Sequence, residues 1–236
     1  MNTPGYNERI FGGGLRAYLH TGRFRWLRSR LADSPGAGET VIELGCFDGK
    51  LLEWLPHPPR RYLGIDANWE GGLDLAREKY AAREHCDFLL ANRPDEIELD
   101  RDEFTLGVSM ETLEHVPPAV LPGYLALLAD SIRGRLLVTV PNEIGPVFAL
   151  KWTLKKLFLG GAERYSPAEF FNAVLGRSHK VSRLEHKGFD YRVFTRELEQ
   201  YFEVVAVDSI PFPLLPACLS FGIGIVAEPR KAAPVD

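Results

Sequence analysis

The chain has 236 residues, of which 45% are hydrophobic and 25% are charged, and its formal net charge is −4. This composition is typical of globular proteins, and the length favours a single α/β domain. The acidic balance excludes a global electrostatic attraction to nucleic acid. The three cysteines, Cys46, Cys86 and Cys218, are far apart and form no CxxC pair, which argues against a disulfide framework or a zinc site.

The sequence contains no convincing targeting or membrane-spanning segment. Residues 1–11 are polar and lack the apolar centre of a signal peptide. The longest apolar run, 212–227, contains Pro213 and Pro216 and is too short to cross a bilayer. These features predict a reduced, cytoplasmic protein.

The first predicted element is an N-terminal helical cap over 1–38, in which 15–31 mixes leucines with arginines in an amphipathic pattern. A turn-rich break follows at 33–38. Strands are predicted at 40–44, 61–65, 86–91, 104–110 and 135–140, and helices at 49–55, 71–83 and 119–132. This alternation predicts right-handed crossovers and a parallel sheet.

The alternation stops after 142, and a helical insert or lid is predicted over 143–190. It holds a basic amphipathic stretch at 147–159 and a helix started by Ser166, Pro167 and the capping-box acid Glu169. A helix capped by Thr195 is expected next. The apolar runs 202–210 and 219–228 then fit a closing antiparallel hairpin, and 229–236 reads as a frayed tail.

The most informative stretch is 41–49, V-I-E-L-G-C-F-D-G, in which a strand ends in an acid and a glycine turn follows. Open α/β sheets bind nucleotide-like ligands at such strand ends. Gly45 and Gly49 permit a tight turn and close backbone approach. The stretch resembles motif I of class I S-adenosylmethionine (SAM)-dependent methyltransferases, and Phe47 stands where that family usually has a third glycine. The resemblance implies that Glu43 faces the ammonium group of SAM.

A second acid, Asp66, ends the strand 61–65 and lies 23 residues after Glu43. A carboxylate in this position can accept both ribose hydroxyls, although Asp66 could instead cap the next helix. By the same resemblance, Ala67, Asn68 or Trp69 flanks the adenine. The resemblance also implies that Asn92 bonds the adenine amino group. Asp87 is a weaker candidate, because it lies at the wrong end of its strand. The full cofactor set implied is Glu43, Gly45, Cys46, Phe47, Gly49, Asp66, Ala67, Asn92 and Met110.

A nicotinamide cofactor is the competing interpretation, since it also carries an adenosine. Two features favour SAM. The glycines do not follow the G-x-G-x-x-G pattern of pyrophosphate binding, and the chain ends in the predicted hairpin. The fold class expected is therefore a Rossmann-like, seven-stranded α/β methyltransferase sheet in a single domain over 1–236.

The second motif is E-T-L-E-H-V-P at 111–117, which follows the strand 104–110. It resembles motif IV of small-molecule methyltransferases, including ubiquinone-pathway O-methyltransferases. The resemblance implies catalytic roles for Glu111, Glu114, His115 and the distant His186. Because imidazole titrates near neutrality, His115 is a candidate base, but it could equally hold the strand–helix turn.

The same four residues also resemble the magnesium-binding set of small-RNA 2′-O-methyltransferases. Two carboxylates and two imidazoles could hold Mg²⁺ or Mn²⁺ and lower the pKa of a hydroxyl. A hydrogen-bonded acid–histidine cluster is favoured over a metal here, because Mg²⁺ prefers oxygen ligands and water.

The expected function is therefore SAM-dependent methyl transfer, at oxygen, to a small-molecule, lipid-linked or glycan acceptor. The alternatives are an RNA 2′-O-methyltransferase and a non-catalytic module with the same fold. The insert and the N-terminal helices would cover the substrate, and the insert's aromatic residues line a pocket or form its own core. Lys151, Lys155 and Lys156, with the arginines of 16–30, face an anionic substrate, a membrane surface or solvent.

Overall fold

The computed structural model describes residues 14–32, 38–158, 164–184 and 186–230. Their strands form one seven-stranded sheet in the order β3-β2-β1-β4-β5-β7-β6. The strands are β1 (Thr40–Leu44), β2 (Arg61–Asp66), β3 (Cys86–Leu90), β4 (Phe104–Met110), β5 (Ile132–Pro141), β6 (Phe202–Ile210) and β7 (Gly222–Pro229).

The first five strands are parallel, and β7 pairs antiparallel with both β5 and β6. The predicted closing hairpin is confirmed. Parallel pairing places the ends of β1, β2, β3 and β4 along one edge, where an open α/β sheet binds its ligand. An antiparallel seventh strand also separates this sheet from the plain dinucleotide-binding fold.

Helices cover both faces of the sheet. They are α1 (Gly14–Arg30), α2 (Gly72–Lys79), α3 (Leu121–Ser131), α4 (Gly145–Phe158), α5 (Pro167–Val174) and α6 (Tyr191–Leu198). Successive strand residues point to opposite faces, so Val41 packs toward α1 while Ile42 packs toward α3 and α6. Because β1 is buried on both faces, its sequence reads as an almost continuous apolar run.

Several predicted boundaries need correction. The segment 49–55 holds only a 3-10 turn, Lys50–Glu53, and the helix expected at 71–83 ends at Lys79. The last helix is not capped by Thr195, whose hydroxyl donates to the Tyr191 carbonyl from inside the helix. Asp190 caps it instead and accepts the Arg192 N–H at 2.9 Å.

The C-terminal strand and tail also differ from prediction. Residues 217–219 form a 3-10 turn, and β7 begins only at Gly222. Arg230 is tied down, because its backbone N–H donates to the Tyr201 carbonyl at 3.1 Å. The rest of the predicted tail, 231–236, lies outside the described residues. Among the described residues, no helix is long and apolar enough to cross a membrane.

The insert has a small core of its own. Phe148, Trp152, Tyr165 and Phe170 pack together, with ring centroids 4.8–5.7 Å apart. The capping box at Ser166 forms as predicted. These rings support the interpretation as a core rather than a pocket lining. Phe171, in contrast, is exposed, and the side chain of Phe158 lies outside the described residues.

Candidate active site

The turn after β1 needs its glycines. Gly45 and Gly49 have φ of +81° and +71°. A Cβ on Gly45 would lie 2.0 Å from Thr112 Oγ1, and one on Gly49 would lie 2.7 Å from the Tyr80 ring. The turn is held to the neighbouring strand, because the N–H groups of Gly45 and Cys46 both donate to the Ile65 carbonyl. A larger residue at Gly45 or Gly49 would therefore displace the loop from its neighbours.

Asp66 ties this turn to the segment that follows β2. One carboxylate oxygen accepts the Phe47 N–H at 2.9 Å, and the other accepts the Asn68 N–H at 2.8 Å. Each oxygen has a second lone pair, which leaves room for ribose hydroxyls. The alternative of Asp66 as a helix cap is wrong, because Gly71 is the N-cap of α2.

Phe47 is accommodated by a distant glycine. It adopts the left-handed conformation, with φ of +46°. Its ring lies on Gly72, where an added Cβ would be 2.2 Å from Cδ2, and its centroid is 6.2 Å from that of Trp69. Phe47 stands where the motif usually has a glycine, and Gly72 at the start of α2 leaves room for its ring. The turn therefore keeps its shape.

Glu43 and Cys46 face inward from the turn. Glu43 is buried and accepts a hydrogen bond from the Tyr62 hydroxyl. Burial raises the pKa of the Glu43 carboxyl well above its usual range. The thiol of Cys46 packs on Gly64, where a Cβ would lie 2.8 Å from Sγ.

The remaining cofactor candidates lie along the same edge. Ala67 is exposed just after β2, and Met110 is buried at the end of β4. The Ala91 N–H donates to the Asp66 carbonyl at 3.1 Å, so Asn92 follows immediately beside the end of β2. Asn92 is exposed, and its own N–H donates to Glu96 at 2.7 Å.

The segment after β4 brings two acids and a histidine to this edge. Glu111 has φ of +53°, and its N–H donates to the Thr139 carbonyl at 2.9 Å, which turns the chain away from the sheet. His115 Nε2 lies 3.8 Å from Glu114 Oε1. The His186 ring meets the His115 ring edge-on, with centroids 4.3 Å apart. The predicted meeting of these distant residues is therefore found in the structure.

Burial leaves this cluster with unsatisfied polar atoms. Glu114 is 1% exposed, and neither carboxylate oxygen has a hydrogen-bond partner, nor does His186 Nδ1. Burial, followed by the charge of Glu111, raises the pKa of Glu114 well above its usual range. Burial also raises the pKa of Glu111. Burial, and then His115, lowers the pKa of His186 to about 4. Such uncompensated groups are unusual outside functional sites.

Three of these residues form a group with the ligand types and spacing that could hold a cation. One ligand atom each from Glu114, His115 and His186 lies within 4.8 Å of the others. The unpaired oxygens of Glu114 and the unpaired Nδ1 of His186 suit such a group. Glu111, the fourth predicted ligand, lies outside this set and acts on Glu114 through its charge.

In the sequence analysis, Arg23 of α1 was considered only as one of the arginines of 16–30 and was given no role of its own in the site. Burial raises the pKa values of Glu43, Glu111 and Glu114, and the positive charge of Arg23 opposes that rise. Its Nε is buried without a hydrogen-bond partner. The sequence does contain a signal for this role, because Arg23 lies midway between Leu19 and Leu27 on the apolar stripe of the helix. An arginine on such a stripe is a reason to look for a buried anion.

The insert adds two further cations that were not assigned to the site. The Arg183 guanidinium donates to the Glu114 carbonyl and lies 4.9 Å from the Phe189 ring. Lys151 Nζ pairs with Glu143 at 2.5 Å and donates to the Asn142 carbonyl at 3.2 Å. Burial raises the pKa of Glu111, and the charge of Lys151 opposes that rise. The acids are thus surrounded by cations from α1 and from the insert.

The strand order, the antiparallel β7 and the glycine turn facing Asp66 together define the class I SAM-dependent methyltransferase fold. No protein-family model matches the chain. The ubiquinone biosynthesis O-methyltransferase of Thiobacillus denitrificans is 34% identical over 192 residues, which cover 74% of this chain and 76% of that protein. The chain belongs to the family of SAM-dependent methyltransferases that includes this enzyme.

Solved structures share the fold at low sequence identity. A SAM-dependent methyltransferase from Clostridium acetobutylicum gives a TM-score of 0.64 at 10% identity, over 96% of each chain. The magnesium protoporphyrin IX methyltransferase from Synechocystis, with bound SAH, gives 0.58 at 15% identity, over 94% of this chain and 92% of its own. Membership of the family of the Thiobacillus denitrificans relative makes the protein an enzyme that uses SAM as its methyl donor. This excludes the nicotinamide interpretation and the non-catalytic module.

Proposed function

We propose that the protein transfers the methyl group of SAM to a hydroxyl oxygen of a small or lipid-linked acceptor. The observation that carries this proposal is the cluster of Glu114, His115 and His186 beside the glycine turn. The name of the relative from Thiobacillus denitrificans, an O-methyltransferase, supports transfer to oxygen.

The methyl donor would lie along the edge formed by β1, β2 and β3. In this arrangement Asp66 accepts the ribose hydroxyls, Asn92 and Ala67 border the adenine, and the backbone at Gly45 and Gly49 follows the methionine part. Glu43 would face the ammonium group of that part, and Arg23 its carboxylate. Phe47 would add an apolar wall beside Trp69.

The reaction is an in-line displacement. The acceptor oxygen attacks the methyl carbon, the bond from that carbon to sulfur breaks, and S-adenosylhomocysteine leaves. The hydroxyl proton passes to the imidazole of His115. Since the sulfonium is already activated, the enzyme mainly aligns the reactants and removes that proton.

The same cluster suits a divalent cation such as Mg²⁺ or Mn²⁺. Glu114, His115 and His186 would hold it, and such a cation lowers the pKa of a bound hydroxyl. Without a cation, His186 is neutral at pH 7, because the pKa of its imidazole is lowered to about 4. His186 would then orient His115 rather than carry charge.

The test is methyl transfer by the purified protein to an ortho-dihydroxybenzene, followed by release of S-adenosylhomocysteine and by product mass. We expect His115→Gln to reduce turnover about 100-fold or more, the usual range for a lost general base. His179→Gln, on the insert surface, is the matched control and should retain full activity.

Two further assays distinguish a metal-assisted reaction and RNA methylation from the proposed reaction. Turnover that EDTA abolishes and Mg²⁺ or Mn²⁺ restores would support the cation, whereas indifference to EDTA would leave His115 as the base. A short RNA offered as acceptor tests 2′-O-methylation, which the net charge of −4 disfavours. Detection of methyl transfer to nitrogen or carbon alone would contradict the proposal.

A further inference from the structure

His186 is carried by a short turn of the insert. The Leu184 N–H donates to the Lys187 carbonyl at 3.1 Å, and the Lys187 N–H donates to the Leu184 carbonyl at 2.9 Å. His186 lies between them, and its carbonyl accepts the Phe189 N–H at 3.1 Å. We call residues 182–184 and 186–189 the histidine turn. The place of the imidazole therefore depends on what holds this turn against the rest of the protein.

The imidazole of His186 occupies a position that its own contacts do not explain. Its Nδ1 is buried without a hydrogen-bond partner, and its ring meets His115 edge-on. In water this nitrogen would regain a hydrogen bond, so the inward position costs free energy. Contacts made by other residues of the histidine turn must therefore keep His186 in place.

Lys187, the next residue, provides the first of these contacts. Its side chain is buried, and Nζ lies 2.9 Å and 3.0 Å from the two carboxylate oxygens of Glu169. Nζ also donates to the Arg164 carbonyl at 3.1 Å and lies 5.0 Å from the centroid of the Tyr165 ring. Because the ammonium group is removed from water, its pairing with Glu169 is stronger than an exposed ion pair.

Glu169 also holds the beginning of the histidine turn. The hydroxyl and the N–H of Ser182 donate to Oε1 at 2.6 Å and 3.2 Å. The Ser166 N–H donates to Oε2 at 3.0 Å in the capping box of α5. The bonds from Ser182, Ser166 and Lys187 hold the pKa of Glu169 well below its usual range. One carboxylate thus joins both ends of the histidine turn to the first turn of α5.

The anchor itself is fixed on the core of the insert. Phe170 follows Glu169 on α5, and its ring centroid lies 5.7 Å from that of the buried Phe148. On the opposite side, Arg183 of the histidine turn donates to the Glu114 carbonyl. The turn is therefore held between α5 and the segment that carries the catalytic acids, with His186 facing that segment.

We propose that Glu169 is a positioning residue for His186 and acts on it through Lys187 and Ser182. Its carboxylate fixes both ends of the histidine turn and keeps the imidazole beside His115. This inference rests on the proposed role of the cluster in methyl transfer. It holds whether His186 orients His115 or helps to bind a cation, since both roles need the imidazole in this place.

The first experiment compares Glu169→Gln with the wild type. Glutamine preserves the capping box but loses the ion pair with Lys187. Turnover should fall about tenfold or more, because a small displacement of a catalytic group is costly, whereas KM for SAM should not change. Glu103→Gln is the matched control. Glu103 also pairs with an arginine, Arg61, and accepts the Asp100 N–H at 3.0 Å, but it lies at the opposite edge of the sheet. This variant should keep full turnover.

The second experiment measures the position of His186 directly. The ring centroids of His115 and His186 are 4.3 Å apart, so histidine-labelled protein should show a nuclear Overhauser effect between the two imidazoles. Glu169→Gln should lose most of this signal. Lys187→Met should lose it as well, and the double variant should lose no more than either single variant, because both changes break one contact.

Thermal unfolding shows which variants are folded, and Lys187→Met carries the test if Glu169→Gln is not. The proposal is overturned if the wild type lacks the signal between the imidazoles or if both variants keep it. Full turnover in a variant that has lost the signal would also overturn it. If the wild type transfers no methyl group, the proposed function fails, but the signal between the imidazoles still decides whether Glu169 positions His186.

Discussion

The two halves of the active-site edge are built in different ways. The half proposed to bind the methyl donor, which we call the donor half, lies around Gly45, Phe47 and Asp66. It comes from two adjacent strands, and its polar groups largely bond to one another. The half proposed to face the acceptor, which we call the acceptor half, brings together Glu114 and His186 from distant parts of the chain and leaves their buried polar atoms without hydrogen-bond partners. A site whose polar groups are already bonded to one another suits a cofactor that is the same in every turnover. Buried polar atoms without hydrogen-bond partners suit a site that bonds to groups arriving from solution.

The largest expected effect concerns the donor half. Asp66→Asn replaces one of two oxygens that accept backbone N–H groups with an amide nitrogen that cannot accept, and it removes the charge offered to the ribose. Two hydrogen bonds to a charged group are worth about 3 kcal/mol together, so SAM affinity should fall about 100-fold by calorimetry. Asp87→Asn, at the opposite end of β3, is the control. Unchanged affinity for Asp66→Asn would remove this residue from the cofactor site.

The acceptor half should respond to pH. The pKa of His186 is lowered to about 4 in the folded protein, below the usual 6.5 or so of the unfolded chain. The unfolded chain therefore binds more protons between these values. The stability linked to His186 is complete above about pH 6.5 and is lost as the pH falls toward 4.

Denaturant unfolding in EDTA would measure this loss. Between pH 7 and pH 4.5 the wild type should lose about 2 kcal/mol more than His186→Gln. The raised pKa values of Glu111 and Glu114 act in the opposite direction, but both proteins retain these residues. His57→Gln, in an exposed loop, should follow the wild type. Parallel profiles for His186→Gln and wild type would contradict the assignment.

A smaller effect tests how the donor half accommodates Phe47. Gly72→Ala should cost about 1–2 kcal/mol of unfolding free energy, because the new methyl group overlaps the Phe47 ring. In the Phe47→Ala background the same change should be neutral or slightly stabilising, since Gly72 has helical φ of −61°. A double-mutant cycle with no coupling energy would show that the two positions are independent.

The smallest effect concerns the residue that joins both halves. Arg23→Gln removes a positive charge near Glu43, Glu111 and Glu114, whose pKa values should then rise further. We expect SAM affinity to fall about tenfold, which corresponds to about 1.4 kcal/mol. Arg28→Gln, on the exposed side of α1, is the control. If both variants bind SAM equally well, Arg23 has only a packing role.

The donor half was predictable because its signals are local. A strand, an acid and glycines in one stretch specify the turn, and the second acid follows at the next strand end. The exception was Phe47, because the sequence alone did not show how the turn accommodates a side chain where the motif usually has a glycine. Its solution is Gly72, 25 residues further on, and no local rule connects the two.

The acceptor half was predictable only in part. The family resemblance named His115 and His186, but the cations that surround the acids depend on how α1 and the insert pack on the sheet. The wrong prediction of Thr195 as the cap of α6 has a similar cause. Asp190 and Thr195 are both acceptable caps, and the burial of Phe194 and Leu198 selects the earlier start.

Asn142 limits how parts of this enzyme could be exchanged with those of its relatives. Its fully buried side chain donates to two carbonyls of the β6–β7 loop and accepts the Ile144 N–H at the entry to the insert. A chimaera that received a different β6–β7 loop alone would leave this amide without its hydrogen-bond partners. Each lost partner would lower the free energy of unfolding by about 1–3 kcal/mol. The loop and the insert therefore form one transferable module, which grafting experiments would have to move together.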